Sequence, residues 1–334
     1  MPLIEVVRGL FGEFDGPDRP GASALLIRNR QTLVAAGWGM ADLAAGVSAT
    51  SATRYRLASV SKQFTAFAVM LLVERGRLQL DDPIARYFDH APPVWQTISI
   101  RMLLSHTSGL SDYEDLIPAI RTTQLSDRDV RDMLIDRNET YFPPGTAYRY
   151  SNTGYCLLAL IVEQLSAMPF EMALHHQIFQ PLGMTGAVAH REGSTHVAHR
   201  AYGHSRAAGG FVRTDQSLTS ATLGDGGIYA SVDDLARWDA ELSAPTLLRP
   251  ATLAQLFAPA VAIPPGTISY GFGWYLCRDG NRAVAYHTGE TIGFRTAIVR
   301  LLERRLTGVV LTNRSEAVPL DIAWALIRAA DQQE

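Results

Sequence analysis

Strand-forming segments lie at both ends of this chain, and their placement constrains the fold more than any other feature. Near the N-terminus, residues 22–28 and 32–38 are joined by a short polar turn and predict an antiparallel hairpin. Toward the C-terminus, the alternation typical of strands returns in residues 269–276, 283–287, 293–300 and 307–312. Helices and long loops dominate between about residue 78 and residue 204. This arrangement predicts one antiparallel sheet built from both ends of the chain, with a mainly helical region inserted.

We therefore predict an α+β fold in which helices flank the sheet. Residues 1–58 and 225–334 would form the sheet domain, residues 59–224 a mainly helical domain, and the active site would lie in the cleft between them. A chain of 334 residues is long enough for two lobes. Residues 191–220 are rich in His, Gly, Ser and Arg, and we expect them to form a loop that borders the cleft.

The composition is that of an ordinary soluble globular protein, with 47% hydrophobic residues, 19% charged residues and a net charge of −3. It lacks the basic excess of proteins that bind nucleic acid, so no such partner is predicted. The longest apolar runs, residues 66–73 and 155–162, are too short to span a membrane. No signal peptide is visible at the N-terminus, which leads us to expect a cytoplasmic location. Cys156 and Cys277 predict buried thiols rather than a disulfide framework.

The chain contains 29 arginines but a single lysine, Lys62, which follows Ser59 by three positions. Arginine keeps its proton in proteins, whereas a buried lysine can become neutral and act as a base. Residues 63–75 predict a mostly apolar, buried helix that ends at Gly76. Residues three apart on a helix face the same way, so the Ser59 hydroxyl and the Lys62 amine should be neighbours. The alternative is an N-capping serine followed by a solvated lysine.

Two further short segments contain side chains suited to catalysis. Tyr150 and Asn152 lie in a turn before a predicted helix, where a tyrosine could relay protons and an amide could hold a carbonyl group. The alternative for them is an ordinary turn with a half-buried tyrosine. His287-Thr288-Gly289 lies at the end of a predicted strand, where it could bind a substrate backbone. Its alternative is a polar strand end that leads into a turn.

The other histidines do not suggest a catalytic triad or a metal centre. No Gly-x-Ser-x-Gly motif occurs as a partner for His106, which we expect to fix the loop around it. The histidines of the middle region lack both the HExxH form and any cysteine-rich spacing, so no metal site is predicted.

The three motifs have the order and separations found in the serine β-lactamase and penicillin-binding-protein-like superfamily, and the Ser-x-x-Lys form is known from related enzymes. The chain most resembles the branch that holds class C β-lactamases, D-aminopeptidases and family VIII esterases. Further similar stretches are LLSHTSGL at 103–110, FPPGTAYRYSNTGY at 142–155, PLGMTG at 181–186, GDGGIYASVDDLARW at 224–238 and YGFGW at 270–274. The resemblance extends from about residue 20 to residue 313 and so covers most of the chain.

This resemblance implies a β-lactamase/transpeptidase-like fold and an acyl-enzyme mechanism without a metal or organic cofactor. Ser59 would attack the substrate carbonyl, and Lys62 or Tyr150 would take its proton. The base stays open between these two, since they should titrate as a coupled pair. The backbone N–H groups of Ser59 and Glu290 would hold the oxyanion, and Asn152 would orient the acyl group. Tyr150 would be the base in deacylation.

The third motif departs from that of β-lactamases and transpeptidases, which usually carry lysine where this chain has His287. A histidine there is similar to D-aminopeptidases and to several esterases, and it does not favour efficient β-lactam hydrolysis. We expect His287, as a weaker and titratable cation, to contact the leaving or acidic side of the substrate together with Thr288. Gly289 would permit close approach of the ligand.

The predicted function is that of a serine hydrolase acting on a small ester, amide or short peptide. One alternative is a D-aminopeptidase, DD-peptidase or weak β-lactamase, which differs only in substrate. Another is a penicillin-binding-like module without turnover. The pattern does not indicate an oligomeric state.

Overall fold

The computed structural model describes residues 2–332. Within that range the α-helices are α1 Leu3–Phe11, α2 Lys62–Glu74, α3 Ile100–Leu104, α4 Asp127–Leu134, α5 Asn152–Ser166, α6 Phe170–Leu174, α7 Gln180–Leu182, α8 Val232–Ser243, α9 Pro250–Ala254 and α10 Pro319–Asp331. Short 3₁₀ helices cover Ala58–Ser61, Ile84–Tyr87, Pro93–Thr97, Tyr113–Leu116 and Gln255–Phe257, and a π-helical turn covers His175–Phe179.

The strands of the described chain are β1 Ala22–Arg28, β2 Gln31–Trp38, β3 Met40–Asp42, β4 Val47–Ser48, β5 Tyr55–Arg56, β6 Val188–Ala189, β7 His204–Ala207, β8 Gly210–Arg213, β9 Ile228–Ala230, β10 Val261–Ala262, β11 Ser269–Tyr270, β12 Tyr275–Asp279, β13 Arg282–Thr291, β14 Phe294–Leu301 and β15 Leu306–Thr312. The main sheet has eight strands in the order β10-β11-β12-β13-β14-β15-β1-β2, and its neighbouring strands are antiparallel. The first hairpin and the C-terminal strands therefore meet in one sheet, as the sequence predicts.

The main sheet packs against helices on both of its faces, and successive side chains of a strand point to opposite sides. On β1, Leu25 and Ile27 join the larger core, which also contains α2, α5 and α8. Ala24 and Leu26 point the other way and pack with α1 and α10 in a second core. Helices on both sides of an antiparallel sheet, with further helices in the middle of the chain, confirm the predicted α+β class.

Some local predictions differ from the structure. The segment predicted as one strand at 269–276 is divided into β11 and β12 by a turn in which Gly273 has a φ of 78°. A left-handed residue of this kind interrupts a strand. Residues 191–220 are not all loop, since they contain the β7–β8 hairpin. Hydrogen bonds also link the two predicted domains, because β6 pairs with β9 and the β7 hairpin bonds to Asn313.

No single helix within residues 2–332 is long and apolar enough to cross a membrane. The bent pair Asn152–Ser166 and Phe170–Leu182 satisfies the requirements of length and composition only when its two parts are taken together.

Candidate active site

The turn that carries Ser59 is held between two strands. It is the 3₁₀ helix Ala58–Ser61, which leads directly into α2. The Leu57 N–H donates to the Ile228 carbonyl oxygen at 2.8 Å, and the Leu57 carbonyl oxygen accepts from Thr296 Oγ1 at 2.7 Å. Ala58 adopts a left-handed φ of 49°, which non-glycine residues rarely do unless their surroundings impose it. Ser59 thus lies in a constrained first helical turn, where backbone N–H groups have no acceptor within the helix.

Lys62 is completely buried and bonded to the residues around it. Its Nζ lies 3.1 Å from Ser59 Oγ, 2.7 Å from Asn152 Oδ1 and 2.9 Å from the Asp225 carbonyl oxygen. Burial lowers the pKa of Lys62, and the negative charge of Asp225 opposes that shift. The structure therefore excludes the alternative of a solvated lysine.

The three contacts of Nζ also suit a neutral amine. An ammonium group has three N–H donors, whereas a neutral amine has two donors and one lone pair. With two donors directed at Asn152 Oδ1 and the Asp225 carbonyl oxygen, the lone pair faces the Ser59 hydroxyl. In that state Ser59 donates its hydrogen to Lys62, which is the arrangement required to activate a serine nucleophile.

Tyr150 lies against this pair, with its ring centroid 4.9 Å from Lys62 Nζ. Its Oη is buried without a hydrogen-bond partner that meets ordinary geometry in the described chain. Burial raises the pKa of Tyr150, and the nearby Ser59 hydroxyl partly opposes the shift. Tyr150 is therefore held in its neutral, protonated form.

His106 fixes the loop that presents Tyr150. Its Nδ1 accepts from the Ser151 N–H at 3.2 Å, and its carbonyl oxygen accepts from the Arg149 N–H at 3.0 Å. The two rings of His106 and Tyr150 lie 4.3 Å apart between centroids. Burial holds the pKa of His106 well below its ordinary value. These contacts agree with the structural role predicted for this histidine.

Asn152 is held by acidic residues that the sequence analysis did not identify. Its side-chain Nδ2 donates to Glu114 Oε1 at 3.0 Å, and its backbone N–H donates to Asp112 Oδ2 at 2.7 Å. Both carboxylates come from a loop about 40 residues earlier in the chain, where no local motif marks them. Burial raises the pKa of Glu114, with a further contribution from the Asp112 charge.

His287 differs from the titratable cation that the sequence suggested. It lies within β13 rather than at its end, and it is only 1% exposed. Its Nδ1 lies 2.6 Å from the Thr288 carbonyl oxygen, and its Nε2 lies 2.9 Å from Tyr270 Oη. Burial, with the nearby Lys62 charge, lowers the pKa of His287 to about 3. His287 is thus neutral near pH 7, with both ring nitrogens engaged, and presents no charge to a substrate.

The end of β13 has a free edge beside the turn that carries Ser59. Its pairing with β12 stops at Tyr286, opposite Tyr275, whereas its pairing with β14 continues to Thr291, opposite Phe294. Opposite residues in antiparallel strands alternate between hydrogen-bonded and non-hydrogen-bonded pairs, and a hydrogen-bonded pair closes the tight turn. Thr288 and Glu290 therefore direct their backbone groups away from β14. The Glu290 N–H is therefore not used in pairing with β14 and is available to a ligand.

Gly289 is in close contact with another segment of the protein chain. A Cβ at this position would lie 2.1 Å from the Leu57 carbonyl oxygen and 3.2 Å from Ala58 Cβ. The sequence suggested that Gly289 makes room for a ligand, but the atoms closest to it belong to the protein chain. Glycine is needed because β13 packs directly against the turn that carries Ser59.

A cavity of about 40 Å³ opens beside Ser59. Its charged lining consists of three acidic residues, Glu114, Asp225 and Glu290, and one basic residue, Arg56. The space suits a small charged group rather than a large apolar one. Residues 191–220 were expected to border the cleft. Of the described residues in that segment, Thr219 lines this cavity.

A buried polar cluster lies behind Lys62. Ligand atoms of Asp127, Cys156 and Asp225 all lie within 4.8 Å of one another. The Asp127 carboxylate already accepts the N–H groups of Leu223 and Gly224 at 3.1–3.2 Å. It thereby fixes the backbone next to the Asp225 carbonyl group that holds Lys62, which favours a structural role over metal binding.

Asp127 should make the stability of the protein depend on pH. Burial, with the Asp225 charge, raises its pKa to about 7 from the ordinary 3.8. Between these values the folded state keeps a proton that the unfolded chain has released, so stability falls as the pH rises through this window. From about pH 5 to about pH 7, we expect the wild type to lose on the order of 2 kcal/mol relative to Asp127→Asn. Urea unfolding at a series of pH values measures the difference, with Asp136→Asn as an exposed control; parallel profiles for wild type and Asp127→Asn would contradict it.

Comparison with known proteins places these features in a family. The family model described as Beta-lactamase matches residues 7–332. Penicillin-binding protein 4* of Bacillus subtilis (strain 168) is 32% identical over 295 residues, which cover 83% of this chain and 64% of that protein. A D-aminopeptidase of Brucella canis is 29% identical over 341 residues, covering 99% of this chain and 62% of that protein. The chain thus spans less than two thirds of the length of these relatives.

The fold has close structural counterparts as well. The crystal structure of a penicillin binding protein from Bacillus halodurans matches with a TM-score of 0.82 and 25% identity, covering 100% of this chain and 99% of that chain. The predicted β-lactamase/transpeptidase-like fold is thereby confirmed. With a family match that covers nearly all of its described residues, the chain belongs to the β-lactamase family.

Proposed function

We propose that this protein is a serine hydrolase that forms a covalent acyl-enzyme at Ser59. The observation that carries the proposal is the 3.1 Å contact between Ser59 Oγ and the buried Nζ of Lys62, whose pKa is lowered by burial. A desolvated lysine next to a serine hydroxyl is a general base positioned to activate a nucleophile.

In acylation, Lys62 takes the Ser59 proton while Oγ attacks the substrate carbonyl carbon. The proton then passes to the leaving group as its bond to the carbonyl carbon breaks. The raised pKa of Tyr150 disfavours a tyrosinate, so we assign the base to Lys62. Neutral Tyr150 can relay the proton, because it can accept one hydrogen bond and donate another. Deacylation reverses these steps with water as the nucleophile and Lys62 again as the base, in place of Tyr150.

The oxyanion of each tetrahedral intermediate would be held by two backbone N–H groups. One is that of Ser59, in the first turn of its helix, and the other is that of Glu290, on the free edge of β13. Asn152 is engaged with both Lys62 and Glu114. These two hydrogen bonds fix the orientation of the Asn152 side chain, and Asn152 would contact the acyl group in that orientation.

For the substrate we propose an amide or ester whose acyl part carries a free amine. Glu114, Asp225 and Glu290 line the small cavity beside Ser59, and carboxylates bind ammonium groups through charge-assisted hydrogen bonds. The similarity to the Brucella canis D-aminopeptidase also supports a substrate that carries a free amine. A β-lactam is less suited, because the neutral His287 supplies no cation at the position where β-lactamases usually carry lysine.

A turnover panel tests the reaction. We expect wild type to hydrolyse p-nitrophenyl butyrate and D-alanine p-nitroanilide, with little activity on a chromogenic cephalosporin. Ser59→Ala should abolish both activities, since the acyl-enzyme needs its oxygen. Activity that persists in Ser59→Ala would refute the nucleophile, and no turnover of any compound by wild type would favour a binding module instead.

The acidic lining of the cavity leads to a separate prediction about substrate specificity. Glu114→Gln keeps an oxygen for the Asn152 amide but removes the charge, so we expect KM for D-alanine p-nitroanilide to rise about tenfold. KM for p-nitrophenyl butyrate, which has no amine, should rise less than threefold, a change of roughly 0.6 kcal/mol at most. Glu139→Gln is an exposed control. Equal changes for both substrates would show that Glu114 does not recognise the amine.

A further inference from the structure

Arg56 is a buried cation in the cleft that forms no direct ion pair within residues 2–332. It lies on β5, three residues before Ser59, and lines the same cavity. It is only 3% exposed. Its Nε and Nη1 are buried and have no hydrogen-bond partner within residues 2–332, and no carboxylate there forms an ion pair with it.

The other buried arginines of the described chain are paired. Arg300 Nε lies 3.0 Å from Asp239 Oδ1, and Arg314 Nε lies 2.9 Å from Glu316 Oε1. A buried charge without a partner is strongly destabilising, because it loses its hydration without compensation. Arg56 therefore differs from them in having no ion-pair partner among the described residues.

We propose that Arg56 binds a carboxylate group of the substrate. This inference rests on the proposed hydrolase function and narrows its substrate to a short peptide with a free amine and a free carboxylate. The planar guanidinium group matches a carboxylate, with two parallel hydrogen bonds. His287, on the β13 side of the cleft, is neutral and so supplies no positive charge for a carboxylate.

The rest of the cavity favours a carboxylate over a larger anion. The cavity beside Ser59 is small, about 40 Å³. The nearby carboxylates of Glu114, Asp225 and Glu290 would repel a phosphate dianion more strongly than a single negative charge. The same residues attract an amine. A ligand with one charge of each sign therefore fits the lining better than a pure anion or a pure cation.

Binding to an inactive variant tests the subsite without depending on turnover. In Ser59→Ala, D-alanyl-glycine should bind about tenfold to a hundredfold more tightly than D-alanyl-glycinamide, as measured by isothermal titration calorimetry. The two ligands share the amine and differ at the carboxylate. In Ser59→Ala with Arg56→Gln the preference should disappear, and with Arg56→Lys it should be partly retained, because lysine keeps the charge but not the planar fork.

Equal affinity of Ser59→Ala for the two ligands, or no binding of either up to about 10 mM, would overturn the subsite. A preference that survives Arg56→Gln would overturn the role of Arg56. The comparison of acid and amide in Ser59→Ala stands even if the Arg56 variants fail to fold. Arg206→Gln, in the exposed hairpin, is the matched control and should keep the preference. Failure of the hydrolase proposal would appear separately, as absence of wild-type turnover in the ester and anilide assays.

Discussion

Replacing Lys62 with arginine is expected to lower kcat/KM by about 10²- to 10⁴-fold, nearly as much as replacing it with alanine. Arginine keeps the positive charge but cannot release its proton, so it cannot accept one from Ser59. It must also fit a larger head group into a site where Lys62 is 0% exposed. If Lys62 served only as a charge, the arginine variant would retain much of the activity, and that result would refute the neutral-amine mechanism.

The pH profile of wild type provides an independent measurement. In the proposed mechanism the active form is the neutral amine, so kcat/KM should rise with pH as Lys62 loses its proton. Burial lowers its pKa, which places the midpoint of that rise below the ordinary lysine value of 10.5. His287, with a pKa of about 3, should contribute no step near neutral pH. A step near the ordinary histidine pKa of 6.5 that disappears in His287→Gln would contradict its buried, neutral state.

Loss of activity in the Lys62 variants must be separated from unfolding. Lys62→Met removes the cost of burying the amine, which is favourable, but leaves Asn152 Oδ1 and the Asp225 carbonyl oxygen without their shared donor. These effects oppose each other, so we expect its Tm to lie within about 5 °C of wild type although its activity is lost. A much lower Tm would mean that Lys62 is required for folding.

Gly289→Ala is expected to lower kcat/KM by about 10²-fold or more and the free energy of unfolding by roughly 2–4 kcal/mol. The added Cβ would lie 2.1 Å from the Leu57 carbonyl oxygen and 2.3 Å from Thr296 Oγ1. Neither contact can be kept, so β13 must move away from the turn. The Glu290 N–H would then shift relative to the Ser59 N–H, which would disturb the oxyanion site proposed for these two donors.

Kinetics and unfolding by urea together test this prediction. A loss in kcat with little change in KM would indicate disturbed transition-state stabilisation. Gly9→Ala is the matched control, because a Cβ at Gly9, within α1, has nothing within 4 Å. That change should leave activity intact and stabilise the protein by about 0.5–1 kcal/mol. Wild-type activity and stability in Gly289→Ala would show that β13 and the catalytic turn are not tightly packed.

Features that depend on neighbours along the chain were predicted well. The first hairpin has its predicted strands, and its turn residues Asn29 and Arg30 both have positive φ. The helix that follows Ser59 runs over Lys62–Glu74, within one residue of the prediction. Ser59 and Lys62 are adjacent as their spacing requires, although the first turn is a 3₁₀ helix. Such features follow from periodicity and turn chemistry, which act over a few residues.

The ionisation states and the charged lining of the cleft were decided by tertiary structure. His287 became neutral because the fold buried it against Tyr270, and Asn152 was oriented by Glu114, which no motif marks. In the sequence Arg56 is one of 29 arginines, and only its burial without an ion-pair partner in the described chain distinguishes it. The sequence by itself determined the fold class and the pairing of Ser59 with Lys62. Desolvation and charge pairing depend on residues distant along the chain, so only the assembled structure could set the charge of each group.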